Sequence, residues 1–200
     1  ARERYLKAYE AALAPWPVAY EELDIETRLG PTHVIASGPP DAPPLVLLPS
    51  FAGTATVWRA NAEALGRRFR TYAVDVIGQP GKSLARRRIR GRRDYADWLV
   101  DVLDGLPIAR ASVVGCSFGG FLAASQAALT PARIERVVLI GPAGVFVGFS
   151  WKFALGMRAR HWRRRIQRLF GHRPALNLAR LHPAAAPLHP QDDVWRAMIG

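Results

Sequence analysis

Apolar residues recur along this chain in two rhythms, and the rhythms alternate. Residues 45–48, 71–78, 112–114 and 136–140 are short aliphatic runs with few polar interruptions. Such runs predict strands covered on both faces, as in a parallel sheet. Between them lie stretches with helical spacing. Tyr95, Trp98, Leu99, Val102, Leu103 and Leu106 recur every three to four residues, and Asp94 and Asp97 sit in the first turn of that helix, where its dipole favours carboxylates. A helix is also expected near residues 56–65, closed by Gly66, and an alanine-rich one from Phe118 onward. Near the start, 2–13 reads as an amphipathic helix with Tyr5, Leu6, Tyr9 and Leu13 on one side, stopped by Pro15 and Pro17. Residues 22–29 alternate polar and apolar, as a half-exposed edge strand does, and 32–36 return as its hairpin partner. His33 is expected on the surface of that strand.

Strand and helix thus alternate from Leu45 to Ile140. That order predicts the α/β class: a doubly wound, mostly parallel sheet with right-handed crossovers. After Gly144 the pattern changes. Residues 151–170 are helical, with Leu155, Trp162, Ile166 and Leu169 on one side and arginines opposite. A proline- and alanine-rich connection, 174–190, precedes a last helical piece at 192–199.

Composition narrows this picture in three ways. With 200 residues, half of them hydrophobic, the chain can bury one large core. A single cysteine excludes an internal disulfide framework. It points to a reducing, cytoplasmic compartment, although a leader removed before Ala1 stays open. The longest uncharged run, 137–151, is shorter than a bilayer-spanning helix and is broken by Gly141, Pro142 and Gly144, so no membrane span is expected. The net charge of +12 comes mainly from arginines clustered at 86–93 and 158–168. Nucleic acid, a lipid surface or an acidic substrate would each suit such clusters. No aromatic-interleaved nucleic-acid motif accompanies them, which favours a solvated face.

The chemistry concentrates at Gly115-Cys116-Ser117-Phe118-Gly119-Gly120. A buried strand ends there and a helix begins with room only for a sharp turn. Glycines two residues before and two after Ser117 relieve the crowding of that turn. The serine hydroxyl is thereby lifted above the carboxyl end of the sheet, where the amides of the helix start face any anion that forms. The competing reading is a serine that merely caps the helix. Cys116 occupies the variable position of the pattern and reads as a small buried hydrophobe turned away from the reaction centre.

These residues resemble the nucleophile elbow of the α/β-hydrolase family, and the likeness spans roughly residues 18–144. It implies Ser117 as catalytic nucleophile, the Phe118 N–H as one oxyanion donor, and the Phe51 N–H, in the loop after Leu48, as the other. The loop 78–83 is similar to the family's glycine-containing loop after the corresponding strand. Pro49-Ser50 stands where the family usually has His-Gly. The family places its acid after the nucleophile in sequence, so Asp75 is expected to be structural, holding neighbouring loops by hydrogen bonds. The resemblance also implies a core over 1–145 and a helical cap over 146–200, with the catalytic histidine and acid beyond Gly200. Of the histidines that follow Ser117, only His172, after Gly171, has a loop context suited to a base; His161, His182 and His189 do not. Asp192 and Asp193 read as helix-start residues.

The function expected is therefore a serine hydrolase cleaving a carboxylic ester or related acyl substrate, small and largely hydrophobic or aromatic, through an acyl-enzyme on Ser117. No ligand cluster is visible in the sequence, so neither a metal nor an organic cofactor is expected. The alternatives are a non-catalytic small-molecule binder on the same fold and a basic nucleic-acid-binding protein.

Overall fold

The computed structural model describes residues 2–145; the expected cap, with His161, His172, His182, His189, Asp192 and Asp193, lies outside them. The described residues form one six-stranded sheet in the order β1-β2-β4-β3-β5-β6. Its strands are β1 (Tyr20–Ile25), β2 (Thr32–Ser37), β3 (Pro44–Leu48), β4 (Arg70–Val74), β5 (Ala111–Cys116) and β6 (Ile134–Ile140). β1 and β2 form an antiparallel hairpin, and β2 joins β4 antiparallel. The β4–β3, β3–β5 and β5–β6 pairs are all parallel. The helices are α1 (Arg2–Leu13), α2 (Arg59–Gly66), α3 (Arg92–Asp104) and α4 (Phe118–Leu129). A 3₁₀ turn, Ala55–Trp58, replaces the first turn of the helix expected at 56–65.

Strand alternation sorts the core into two layers. Val46, Leu48, Val34, Tyr72, Val74 and Val113 pack with Trp98, Leu99, Val102 and Leu103 of α3 and Leu122 and Ala123 of α4. Their sequence neighbours Leu45, Leu47, Ile35, Ala73 and Val114 pack on the other face with Tyr9 and Leu13 of α1, Trp58 of the 3₁₀ turn and Ala62 of α2. Both faces are covered, which is why these strands read as continuous apolar runs. Trp98, fully buried, donates its indole N–H to Thr32 Oγ1 at 2.7 Å, fixing α3 against β2.

Two expectations are corrected. His33 is not a surface residue: it is 3% exposed, because β2 lies inside the sheet between β1 and β4. Its ring stands edge-on to Tyr9 and faces Glu22 Oε2 at 3.1 Å and Asp24 Oδ1 at 3.3 Å. β6 is not buried: it is the edge strand of the described sheet, and Val138 and Ile140 are 52% and 47% exposed. Its apolar composition matches a covered strand, but among the described residues only β5 pairs with it.

Candidate active site

Ser117 sits between β5 and α4 with φ 51° and ψ −108°. This conformation is sparsely populated for a side chain with a Cβ and costs about 1–3 kcal/mol. The surroundings hold it. Its N–H donates to the Ile140 carbonyl at 2.8 Å, and its own carbonyl accepts from Ala143 N–H at 3.0 Å and Phe121 N–H at 3.1 Å. The glycines are a steric necessity. A Cβ on Gly115 would lie 2.2 Å from the Gly119 carbonyl oxygen, and one on Gly119 would lie 2.3 Å from that of Leu48. The Ser117 hydroxyl makes no capping hydrogen bond to α4, and the residue is half-buried. Helix capping therefore does not account for a serine at this corner.

β3 and β5 are neighbours with Leu48 opposite Gly115, so the loop after β3 emerges beside Ser117. Gly119 N–H donates to the Pro49 carbonyl at 3.1 Å, tying that loop to α4. Proline's missing N–H is no loss here, because position 49 is used as an acceptor. The loop continues as a turn closed by Gly53 N–H on the Ser50 carbonyl at 2.9 Å. Among the described residues neither the Phe51 N–H nor the Phe118 N–H has a hydrogen-bond partner. The two phenyl rings meet edge to face at 6.1 Å, with Phe51 57% exposed. Phe118 also stacks on Phe121 at 6.1 Å and meets Tyr95 edge-on at 5.6 Å. The corner thus carries an aromatic floor. Helical spacing put Tyr95 on the apolar face of α3 but could not reveal this role, since the ring contacts are made between elements.

Asp75 lies at the end of β4 and is wholly buried. Its Oδ1 accepts the Ala55 N–H at 2.6 Å and its Oδ2 the Lys82 N–H at 2.7 Å. Ser83 Oγ donates to its carbonyl at 2.7 Å and accepts from His33 N–H at 2.9 Å. Burial pushes the carboxyl's pKa up, and the Ala55 and Lys82 amides pull it back. The residue clamps the loops after β3 and β4 together, as expected of a structural aspartate. Gly81, at φ 151°, packs so closely on it that a Cβ there would lie 2.5 Å from Asp75 Cγ. Cys116 is half-buried, not fully buried, and packs in the core layer beneath α1 and α2. Among the described residues no group of histidine, cysteine and carboxylates could hold a metal ion. A cavity of about 250 Å³ bordered by Val18, Gly38, Glu63 and Arg67 opens near Ser37, at the other end of the sheet from Ser117.

A mostly parallel sheet with a strained, half-buried serine between strand and helix, glycines forced on both sides and a loop from the adjacent strand beside it defines a class. The chain belongs to the alpha/beta hydrolase fold family, whose model matches residues 43–182. It is 42% identical over 159 residues to the uncharacterized carboxylesterase nap of Bacillus subtilis strain 168, across 78% of this chain and 53% of that protein. It is 41% identical over 146 residues to carboxylesterase YbfK of the same organism, across 73% of this chain and 49% of that one. The crystal structure of naproxen esterase (carboxylesterase NP) from B. subtilis superposes with a TM-score of 0.73 at 41% identity, over 77% of this chain and 55% of that one. The chain therefore spans about half the length of the curated relatives it matches. No helix among the described residues is long and apolar enough to cross a membrane.

Proposed function

We propose that the protein is a serine carboxylesterase with Ser117 as its nucleophile. The observation that carries the proposal is the Ser117 corner itself: a serine kept at φ 51° with its hydroxyl unused by the helix. Natural chains retain such strain where it serves a function. Likeness to the two B. subtilis carboxylesterases supports the bond class. In this reading Ser117 Oγ loses its proton to a base and attacks the ester carbonyl carbon. The tetrahedral oxyanion is held by the Phe51 and Phe118 N–H groups, the alcohol leaves with a proton, and water then releases the acid from the acyl-enzyme. A histidine and its orienting carboxylate from outside residues 2–145 complete the proton transfers. The aromatic floor of Phe51, Phe118, Phe121 and Tyr95 favours a small, flat or apolar acyl group.

A fluorophosphonate probe tests this on the full-length protein. Stoichiometric labelling of the wild type, lost in Ser117→Ala together with hydrolysis of aryl esters, is the expected result. Failure of the wild type to label leaves a binding protein on a hydrolase fold and removes the esterase reading.

A further inference from the structure

The turn that carries Phe51 contains a second strained residue. Ala52 has φ 58°, one of two non-glycine residues with positive φ among the described ones, the other being Ser117. The turn is Ser50 to Gly53, closed by Gly53 N–H on the Ser50 carbonyl. A left-handed third residue marks a type II turn, in which glycine is normally found. Alanine has a simple escape. A flip of the Phe51–Ala52 peptide would convert the turn to type I, remove the positive φ and leave the closing hydrogen bond intact. It would also rotate the Phe51 carbonyl to where the Ala52 N–H now points.

One contact opposes that flip. Ala52 N–H donates to Gln79 Oε1 at 3.1 Å. Gln79 comes from the loop after β4, where its own N–H is bonded to the Val76 carbonyl at 3.0 Å between Gly78, at φ 76°, and Pro80. The backbone that presents the amide is therefore itself constrained. Asp75 joins the same two loops further along, at Ala55 and Lys82, but makes no bond to the turn itself.

We infer that Gln79 is a positioning residue for the oxyanion loop: by accepting the Ala52 N–H it anchors the strained Ser50–Gly53 turn to the loop after β4, and so keeps Phe51, whose N–H lies in the preceding peptide and does not itself turn over in a flip, from shifting away from Ser117. The flipped peptide would present a carbonyl oxygen to the Gln79 oxygen, so the side chain selects one of two turn states. This rests on the esterase reading above. A donor displaced by about an ångström loses up to roughly a hundredfold in rate, and a donor removed loses about 10²–10³-fold.

The test compares Gln79→Leu, which loses the acceptor, with Gln79→Glu, which keeps it. In Gln79→Leu, kcat for an aryl ester and the rate of fluorophosphonate labelling are expected to fall by about tenfold or more, with KM within about threefold of wild type. Amide exchange at Ala52 is expected to accelerate while the thermal midpoint stays near that of wild type. Gln79→Glu, which keeps the acceptor, is expected to restore slow exchange at Ala52. Should Gln79→Leu fail to fold, Gln79→Asn, too short to reach Ala52, takes its place. A kcat in Gln79→Leu equal to that of wild type, or a Gln79→Leu loss confined to the thermal midpoint, overturns the proposal. Unchanged Ala52 exchange overturns it irrespective of activity. A wild type that neither labels nor hydrolyses ester overturns the esterase reading instead, and any role for Gln79 in catalysis falls with it.

Discussion

At the scale of single residues, the site is defined by backbone angles. The positive φ at Ser117 is tolerated because three backbone hydrogen bonds, to Ile140, Ala143 and Phe121, outweigh its cost. This has a measurable consequence. In most settings glycine is destabilising relative to alanine by roughly 0.5–1 kcal/mol. At position 117 the order inverts, since alanine keeps the strain and glycine releases it. Ser117→Gly is expected to exceed Ser117→Ala by about 1 kcal/mol in urea unfolding, with both unlabelled by fluorophosphonate. An alanine variant as stable as the glycine one would show the corner to be unstrained. The glycine spacing around Ser117 made this conformation legible from residue identity. Nothing comparable announced Ala52, because alanine carries no conformational signature; only its φ in the fold and its Gln79 partner reveal the turn.

Between elements, the bonds that matter join parts far apart in sequence. Arg28, just after β1, forks onto Asp101 of α3, with Nε to Oδ2 at 2.8 Å and one terminal nitrogen to Oδ1 at 2.7 Å; its own N–H reaches Oδ2 at 2.8 Å. Partial burial would raise the Asp101 pKa, but the Arg28 hydrogen bonds and charge outweigh it and bring the pKa below its ordinary 3.8. A carboxyl whose folded pKa is depressed adds stability that is present above about 3.8 and lost as pH falls through the folded value. Wild type is thus expected to exceed Asp101→Asn in urea midpoint at pH 7. The gap should close as the solution is acidified below about pH 3.8. A gap independent of pH would rule out the carboxylate's charge as its source. The amphipathic spacing of α3 predicted the helix and its buried face correctly. It could not say that Asp97 and Asp101 meet Arg28, since that depends on how the β1–β2 hairpin docks.

Across the described residues, several arginines far apart in sequence are paired with carboxylates. Arg67 pairs with Glu63, Arg70 with Glu21, Arg86 with Glu26, Arg93 with Asp97 and Arg133 with Asp104. These pairs are scattered over both ends of the sheet and mostly exposed, so each contributes little to stability. Two of them, at Arg86 and Arg93, offset part of the charge of the arginine-rich loop. Retention on DNA is therefore expected to vanish by about 0.15 M salt. Binding that persists above that strength would revive the nucleic-acid reading.

What the linear order of residues determined is the set of elements and the one corner between β5 and α4. Apolar periodicity is local, set by which side chains share a face over two or four residues, and the glycines flanking Ser117 answer a crowding confined to a single turn. What only the folded chain decided is adjacency. Placing β2 between β1 and β4 buried His33, β6 at the edge of the described sheet leaves Val138 and Ile140 exposed, and bringing the loops after β3 and β4 together let Asp75 grip both and Gln79 reach Ala52. Strand order follows from burying both sheet faces at once, a property of the entire chain that no window of sequence contains.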